Sequence, residues 1–486
     1  MGNNVRSNLI FQLSYRVLTV ITPLITTPIL SRSLGSDKLG VYSASLAFVN
    51  YFMLFAMLGI ENYGNRSIAA AQGNKKQMQQ LFWNIYAIQF IASTIAVIGY
   101  CISFIFIDRT RFIIAIFQGL WLISNLINVN WFFFGTEQFK ITVIRNSIIK
   151  ILTVLLIVLL IKKPSDIYIY ALIMAGDAVI SNLIMLPFLR KSIGFERPSF
   201  SHMREHIKPI MVLFIPILAM SIFHIMDKTM LDVLSTEQNS GFYYSADKLI
   251  NIPMAAIAAL GTVMLPRIAN MMGKSNNDKK NVSIVLGKSM ELTMFLASAV
   301  GMGIAAISQE FVPFFFGSGY EPCIYLVYWF VPVLFVKAIS ELIRTQYLVP
   351  AHEDKKYTLA VIFGAVVNLF ANYFLISAFG ALGAVLGTLI AETVVAIVQI
   401  ILTAHEINFL KFVIQNIWYV LLSLIMLIVV RVIAHGLNTS EIIKILAMIV
   451  AGGFTYMLLC VFVWKFNKNS IFYNLKIKDL LKQLVK

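Results

Sequence analysis

The sequence predicts an all-α polytopic membrane protein with about fourteen transmembrane helices. Composition is the first observation behind this. Of 486 residues, 59% are hydrophobic and 13% charged, with a mean hydropathy of +0.81; about a quarter of a soluble globular chain is charged. Run length is the second. The apolar stretches are continuous over roughly 20 residues, as a spanning helix requires, and do not alternate over ~10 residues as barrel strands do. Charge placement is the third. With the N-terminus inside, 24 of the 39 Lys and Arg fall in inner segments, 8 in outer segments and 7 within spans. The positive-inside rule then puts both termini in the cytoplasm and the protein in the cytoplasmic membrane. The same bias accounts for the net charge of +16 without a nucleic-acid partner.

In chain order the expected spans are Leu9–Leu30, Leu39–Ile60, Leu81–Ile107, Phe112–Phe134, Ile141–Ile161, Ile167–Leu189, Pro209–Leu231, Gly241–Leu265, Ser289–Ile307, Ile324–Val349, Tyr357–Ala378, Ala381–Thr403, Phe412–Val430 and Ile445–Val463. The start, MGNNVRSNLI, lacks a small-residue cleavage site, so the first apolar run reads as an uncleaved span. Arg6 breaks the myristoylation pattern. Loops are short apart from the basic stretch Arg190–Lys208, which reads as a cytoplasmic linker. The division expected is an N-terminal lobe over 1–190, a linker over 191–208, a C-terminal lobe over 209–405, and two further helices with a basic cytoplasmic tail over 406–486.

Two internal echoes support paired lobes. Gly40-Val41-Tyr42 recurs as Gly241-Phe242-Tyr243, and Arg66 recurs as Arg267, both at an offset of 201. GTEQFKIT from Gly135 resembles AHEDKKYT from Ala351 at an offset of 216. Spans one to six and seven to twelve then form two copies. Six being even, the copies share orientation and pair about an axis along the membrane normal.

Seven cations lie within the spans, and a cation in hydrocarbon costs roughly 2.5–3.5 kcal/mol on insertion scales. At a rise of 1.5 Å per residue, Lys150 lies about 14 Å deep and Lys337 about 20 Å, with Arg16 and Lys248 about 10 Å from opposite sides. These four are candidates for a cationic cavity that binds an anionic cargo; structural ion pairs and snorkelling are the competing readings. Arg145 and Lys228 join them as weaker candidates, because each lies near a span end and can snorkel. Glu341 stands one turn from Lys337 and from Arg344, a triplet that reads as a structural network or a gate. Asp177 and Glu392 are lone mid-span acids; coupling to a proton competes with plain hydrogen bonding.

Other chemistry finds little support. His224 and Asp227 share a turn but gather no third ligand, so no metal is expected. Cys101, Cys323 and Cys460 are scattered and read as buried apolar residues. No GxSxG, P-loop or HExxH is present, which points to a transporter without a cofactor and not to an enzyme. Tyr42, Tyr51, Tyr243, Tyr244 and Trp131–Phe134 read as interfacial aromatics, with sugar stacking the sharper alternative.

Several motifs in order carry a family resemblance. Pro28-Ile-Leu-Ser-Arg32-Ser-Leu34-Gly35, Gly40-Val-Tyr42 and Asn65-Arg66-Ser67-Ile-Ala resemble the start of Wzx-type polysaccharide-repeat flippases. That group belongs to the multidrug/oligosaccharidyl-lipid/polysaccharide exporter superfamily. Asp227-Lys228-Thr-Met-Leu231, Gly241-Phe-Tyr243-Tyr-Ser-Ala246-Asp-Lys248 and Leu265-Pro266-Arg267 resemble the second-half counterparts, and Leu382-Gly383-Ala384, Gly387-Thr388 and Ala391-Glu392 the twelfth helix. The resemblance covers essentially the whole chain. It implies a MATE-like, V-shaped, two-lobe transporter with alternating access. The implied cargo is an undecaprenyl-diphosphate-linked oligosaccharide for capsule or surface polysaccharide, with a polymerase and glycosyltransferases as pathway partners. A multidrug cation antiporter of the same superfamily, a lipid II-type flippase and a cell-wall synthesis scaffold stay open as alternatives. Arg16 and Lys150 in the first lobe, against Asp177 alone, favour an anionic cargo.

Overall fold

A computed structural model describes residues 2–106, 109–272, 279–466 and 470–472, and all regular structure among them is helical. Eleven of the described helices are long and apolar enough to cross a bilayer. Their outward surfaces are hydrocarbon: Ile95 is 65% exposed, Leu159 66% and Val450 71%. Faces of this kind are stable only in lipid. The chain divides into two compact units, Met1–Ser245 and Ala246–Lys486.

The first unit opens with α1 (Gly2–Met57), 56 residues that do not run straight. Gly35 takes φ 78° and ψ 169°, a left-handed conformation that breaks the helix there. A short α2 (Ile60–Ala70) follows, then α3 (Lys75–Ser103), capped by Asn74, whose side chain accepts from the Gln77 amide at 3.1 Å. The fourth expected span, Phe112–Phe134, is not continuous: α4 (Arg109–Leu126) and α5 (Asn130–Gly135) flank a break. Side chains take over backbone bonding at that break. Asn128 Oδ1 accepts from the Asn130 amide at 3.0 Å, and the Gln89 amide donates to the carbonyls of Asn125 and Asn128 at 2.7 and 2.8 Å. Next come α6 (Phe139–Leu160), α7 (Ile167–Ser192), α8 (Phe200–Leu234) and α9 (Glu237–Met272), with the unit boundary inside α9. The core at one end centres on fully buried Phe82, Trp131, Phe132 and Phe133. Gly64 lets α2 lie against Trp131, since a Cβ there would meet the indole at 2.4 Å.

The second unit continues with α10 (Lys279–Phe316), α11 (Pro322–Ile343) and a π-helical turn over Arg344–Leu348. It is completed by α12 (Asp354–Phe379), α13 (Ala381–Thr403), the short α14 (Phe409–Asn416), α15 (Trp418–Gly436) and α16 (Glu441–Phe466). The α12–α13 hairpin is tight because small residues let the backbones meet. A Cβ on Gly383 would stand 2.0 Å from the Leu375 carbonyl, and one on Gly387 2.0 Å from Asn372 Oδ1. The last two long helices are held onto α10 at both ends. Glu291 accepts from Tyr419 Oη at 3.0 Å, Ser470 Oγ at 2.5 Å and the Ile471 amide at 2.9 Å. Nineteen residues on, about 28 Å along the helix, Glu310 pairs with Arg431 at 2.7 Å and Lys444 at 3.2 Å.

Candidate functional site

In the first unit α6 and α7 gather three of the sequence-predicted polar residues. Lys150 and Thr153 stand one turn apart on α6, and Thr153 Oγ1 donates to Asp177 Oδ1 on α7 at 3.2 Å. Lys150 and Arg145 both lie within electrostatic reach of Asp177, and Tyr15 of α1 is within reach of Arg145 and Asp177. Lys150 is half-buried, and no carboxylate oxygen of the described residues lies within 4.0 Å of its ammonium. Asp177 is thus within electrostatic reach of Lys150 without a direct contact.

Arg145 behaves otherwise. It is 7% exposed. Its guanidinium donates to Asn146 Oδ1 at 3.0 and 2.6 Å, to Asn130 Oδ1 at 3.0 Å and to the Ser181 carbonyl at 2.9 Å. Near a span end it had the reach to snorkel outward; instead it turns in, where half-buried Asn130 beyond the α4 break offers an acceptor. Asn130 Nδ2 in turn donates to Asn182 Oδ1 at 3.0 Å, so α5, α6 and α7 share one polar network.

Lys228 lies 6.0 Å from the centroid of the Tyr244 ring. Its neighbour Asp227 is buried and accepts from Tyr243 Oη at 2.9 Å. Tyr42 is 1% exposed and packs on Tyr170, with centroids 4.7 Å apart. These rings therefore pack against protein. The side chains of Arg16 and Arg267 lie outside the described residues.

In the second unit Lys337 is half-buried on α11, again with no carboxylate oxygen of the described residues within 4.0 Å. It stands apart from the pair expected to include it. Arg344 takes both oxygens of Glu341, Nε at 3.0 Å and Nη2 at 2.5 Å, and lies over the Tyr357 ring at 5.5 Å. The guanidinium fork occupies both carboxylate oxygens, which leaves Lys337 out. Lys248 is half-buried on α9, while Asp247 beside it is bonded to Asn251 Nδ2 at 2.7 Å. Glu392 is 4% exposed on α13, within electrostatic reach of Tyr357.

Sequence reasoning passed over two groups. Glu61 begins α2 and lines a cavity of about 350 Å³ within the first unit, with Asn50, Asn125 and Ser221 among its walls. Asn128 Nδ2 donates to it at 3.4 Å. The residue lies one place beyond the expected end of span two and so read as loop; the break at Gly59 was the available signal. Glu406, from the turn after α13, accepts from Tyr347 Oη and from Lys356 Nζ, the latter at 2.6 Å. Nothing in the local pattern predicts that pairing.

Comparison with known proteins bears on the family and the fold. The "Putative O-antigen transporter" of Escherichia coli (strain K12) is 22% identical over 403 residues, spanning 81% of this chain and 95% of that protein. The "Probable low-salt glycan biosynthesis flippase Agl15" of Haloferax volcanii is 22% identical over 223 residues, 45% of this chain and 44% of its own. Among solved structures, "Lipid II flippase MurJ, inward closed conformation" superposes with a TM-score of 0.70 at 16% identity, over 94% of this chain and 98% of that one, so the two share a fold. A model of one family, described as polysaccharide biosynthesis protein, matches residues 5–272, more than half of the sequence. The chain belongs to the polysaccharide biosynthesis protein family.

Proposed function

We propose that this protein is a flippase that moves undecaprenyl-diphosphate-linked oligosaccharide repeat units across the cytoplasmic membrane, for capsule or surface polysaccharide. The observation that carries the reading is the pair Lys150 and Lys337. Each is half-buried within a long apolar helix, and neither has a carboxylate of the described residues within 4.0 Å. A diphosphate supplies the missing counter-charge through charge-assisted hydrogen bonds. The polyprenyl chain stays in lipid while the headgroup crosses. Lys248 and Lys228 are the further cations in this reading, and Arg16, whose side chain lies outside the described residues, is assigned with them from its place in the sequence. Arg145 holds α6 in register through its asparagine network. The Glu341–Arg344 pair serves as a gate, and Asp177 and Glu392 are the acids placed for coupling to an ion.

The architecture in this reading has fourteen spans in two six-helix lobes related by a pseudo-twofold axis, plus two C-terminal helices, with both termini cytoplasmic. The eleven long apolar helices support it. The run Leu18–Ala70 counts as two crossings about Gly35, and Arg111–Leu126 and α9 add two more. Transport by alternating access needs no catalytic group or cofactor. The polymerase and glycosyltransferases of the pathway are the partners that consume and supply the cargo.

The test is transport by the purified protein in vesicles. A fluorescent polyprenyl-diphosphate oligosaccharide should move between leaflets, read as protection from an impermeant quencher. Cationic dyes should not move. Dye transport without glycan transport would overturn the reading in favour of a multidrug antiporter.

A further inference from the structure

The stretch between α7 and α8 is fixed to the protein yet presents bulky aromatics outward. Ile193 is 5% exposed and seats the segment. Trp83 Nε1 of α3 donates to the Gly194 carbonyl at 2.9 Å, and the Ser199 amide donates to Asn84 Oδ1 at 2.9 Å. The Phe195 ring stands edge-on to Trp83 with centroids 4.8 Å apart. Despite these ties Phe195 is 73% exposed and Phe200 81%. Two such rings on a polar segment need an apolar neighbour.

Their position identifies that neighbour. Trp83 lies on the same face of α3 as Phe90 and Ile98, which are 49% and 54% exposed and continue along the helix at helical spacing. Phe200 lies on the face of α8 that also carries exposed Ile207, Met211 and Ile215. Phe200 opens α8 and Phe195 packs on Trp83 in the first turns of α3, so both rings join apolar stripes near helix ends, where amphipathic groups meet a bilayer surface. The charge is complementary to an anionic surface. From Arg190 to Lys208 the chain holds five cations against Glu196 and Glu205, and Lys191, Arg197 and Arg204 are exposed.

We propose that this strap is a lipid-binding site: Phe195 and Phe200 enter the boundary between headgroups and acyl chains, and Lys191, Arg197 and Arg204 hold the phosphates of anionic phospholipids. Clustered cations near such a surface are attracted to it, and aromatics add apolar burial. Because Trp83 and Asn84 fix the strap to α3, lipid held here is held at the ends of α3, α7 and α8 together.

The test uses the full chain in nanodiscs, with Cys101, Cys323 and Cys460 replaced by Ala and a nitroxide on Phe195→Cys. With phosphatidylglycerol present, collisions with oxygen should exceed those with a water-soluble nickel chelate severalfold. Arg197→Glu with Arg204→Glu should reverse that ratio. A label equally open to water with and without phosphatidylglycerol would overturn the proposal and leave the strap to a soluble protein partner. A label equally buried in phosphatidylcholine alone, and indifferent to charge reversal, would overturn the anionic-lipid assignment. Depth is read without transport, so the outcome is independent of the flippase reading.

Discussion

Gly40 and Gly241 meet back to back in the first unit, each against the backbone one turn before the other. A Cβ on Gly40 would stand 1.8 Å from the carbonyl oxygen of Glu237, and a Cβ on Gly241 1.9 Å from that of Ser36. Ser36 and Glu237 are separated by the same 201 positions as the two glycines. The two approaches are thus equivalent in spacing: each glycine meets the carbonyl one turn before the other. The Gly-x-Tyr echo in the sequence falls on this contact, where only hydrogen fits at both points.

Gly40→Ala and Gly241→Ala should each force the backbones apart. Overpacking of this kind costs on the order of 3 kcal/mol. The expected result is a lower melting temperature for either variant in detergent. An unchanged melting temperature for both would mean the close approach is not needed for stability.

Arg145 and Lys150 lie five residues apart on α6 and differ in their surroundings: Arg145 is buried in an asparagine network, Lys150 is half-buried. Arg145→Lys keeps the charge but not the planar fork that reaches Asn130, Asn146 and the Ser181 carbonyl. It should lower thermal stability by about 1–2 kcal/mol, the cost of hydrogen bonds to a charged group lost at half-buried acceptors. Lys150→Ala should leave stability near wild type. Thermal unfolding of the two purified variants checks this; equal destabilisation would merge the two roles.

The acids on α10 make unequal staples. Glu291 is 5% exposed and accepts three hydrogen bonds, so Glu291→Ala strands buried donors and should cost about 2 kcal/mol. The Glu310 side chain is more open, at 13%, and Glu310→Ala should cost about 1 kcal/mol. Limited proteolysis should release the C-terminal segment from the first variant sooner than from the second. The opposite order would show that the outer pair carries the attachment.

Topology follows from charge. Reporter fusions after Ile307 and after Val463 should give opposite signals, outside and inside. The same side for both would contradict fourteen spans with cytoplasmic termini.

How much was legible depended on whether the signal was local. Depth along a helix is local, so Lys150 and Lys337 could be picked out by position alone, and both are half-buried within helices. The break at 127–129 was not read from the sequence, although Asn125, Asn128 and Asn130 mark it; Asn128 and Gln89 replace backbone hydrogen bonds there through contacts no periodicity encodes. Arg145 could be located but not oriented: its acceptor Asn130 comes from the helix beyond that break. Lys337, Glu341 and Arg344 satisfied the spacing for a triplet, yet guanidinium geometry settles the contest for Glu341 in favour of Arg344. Glu406 with Tyr347 and Lys356 depends on contacts 50 or more positions apart, which no periodicity encodes.

The central claim is that Lys150 and Lys337, half-buried with no carboxylate oxygen of the described residues within 4.0 Å, receive a diphosphate. The direct measurement is the rate of polyprenyl-diphosphate oligosaccharide movement in vesicles containing Lys150→Ala or Lys337→Ala protein at matched levels. Loss of one charge-assisted hydrogen bond, about 1.5–3 kcal/mol, predicts a fall of about tenfold or more for each, with Lys→Arg retaining most of the rate. Wild-type rates from both Ala variants, with normal folding, would contradict the account.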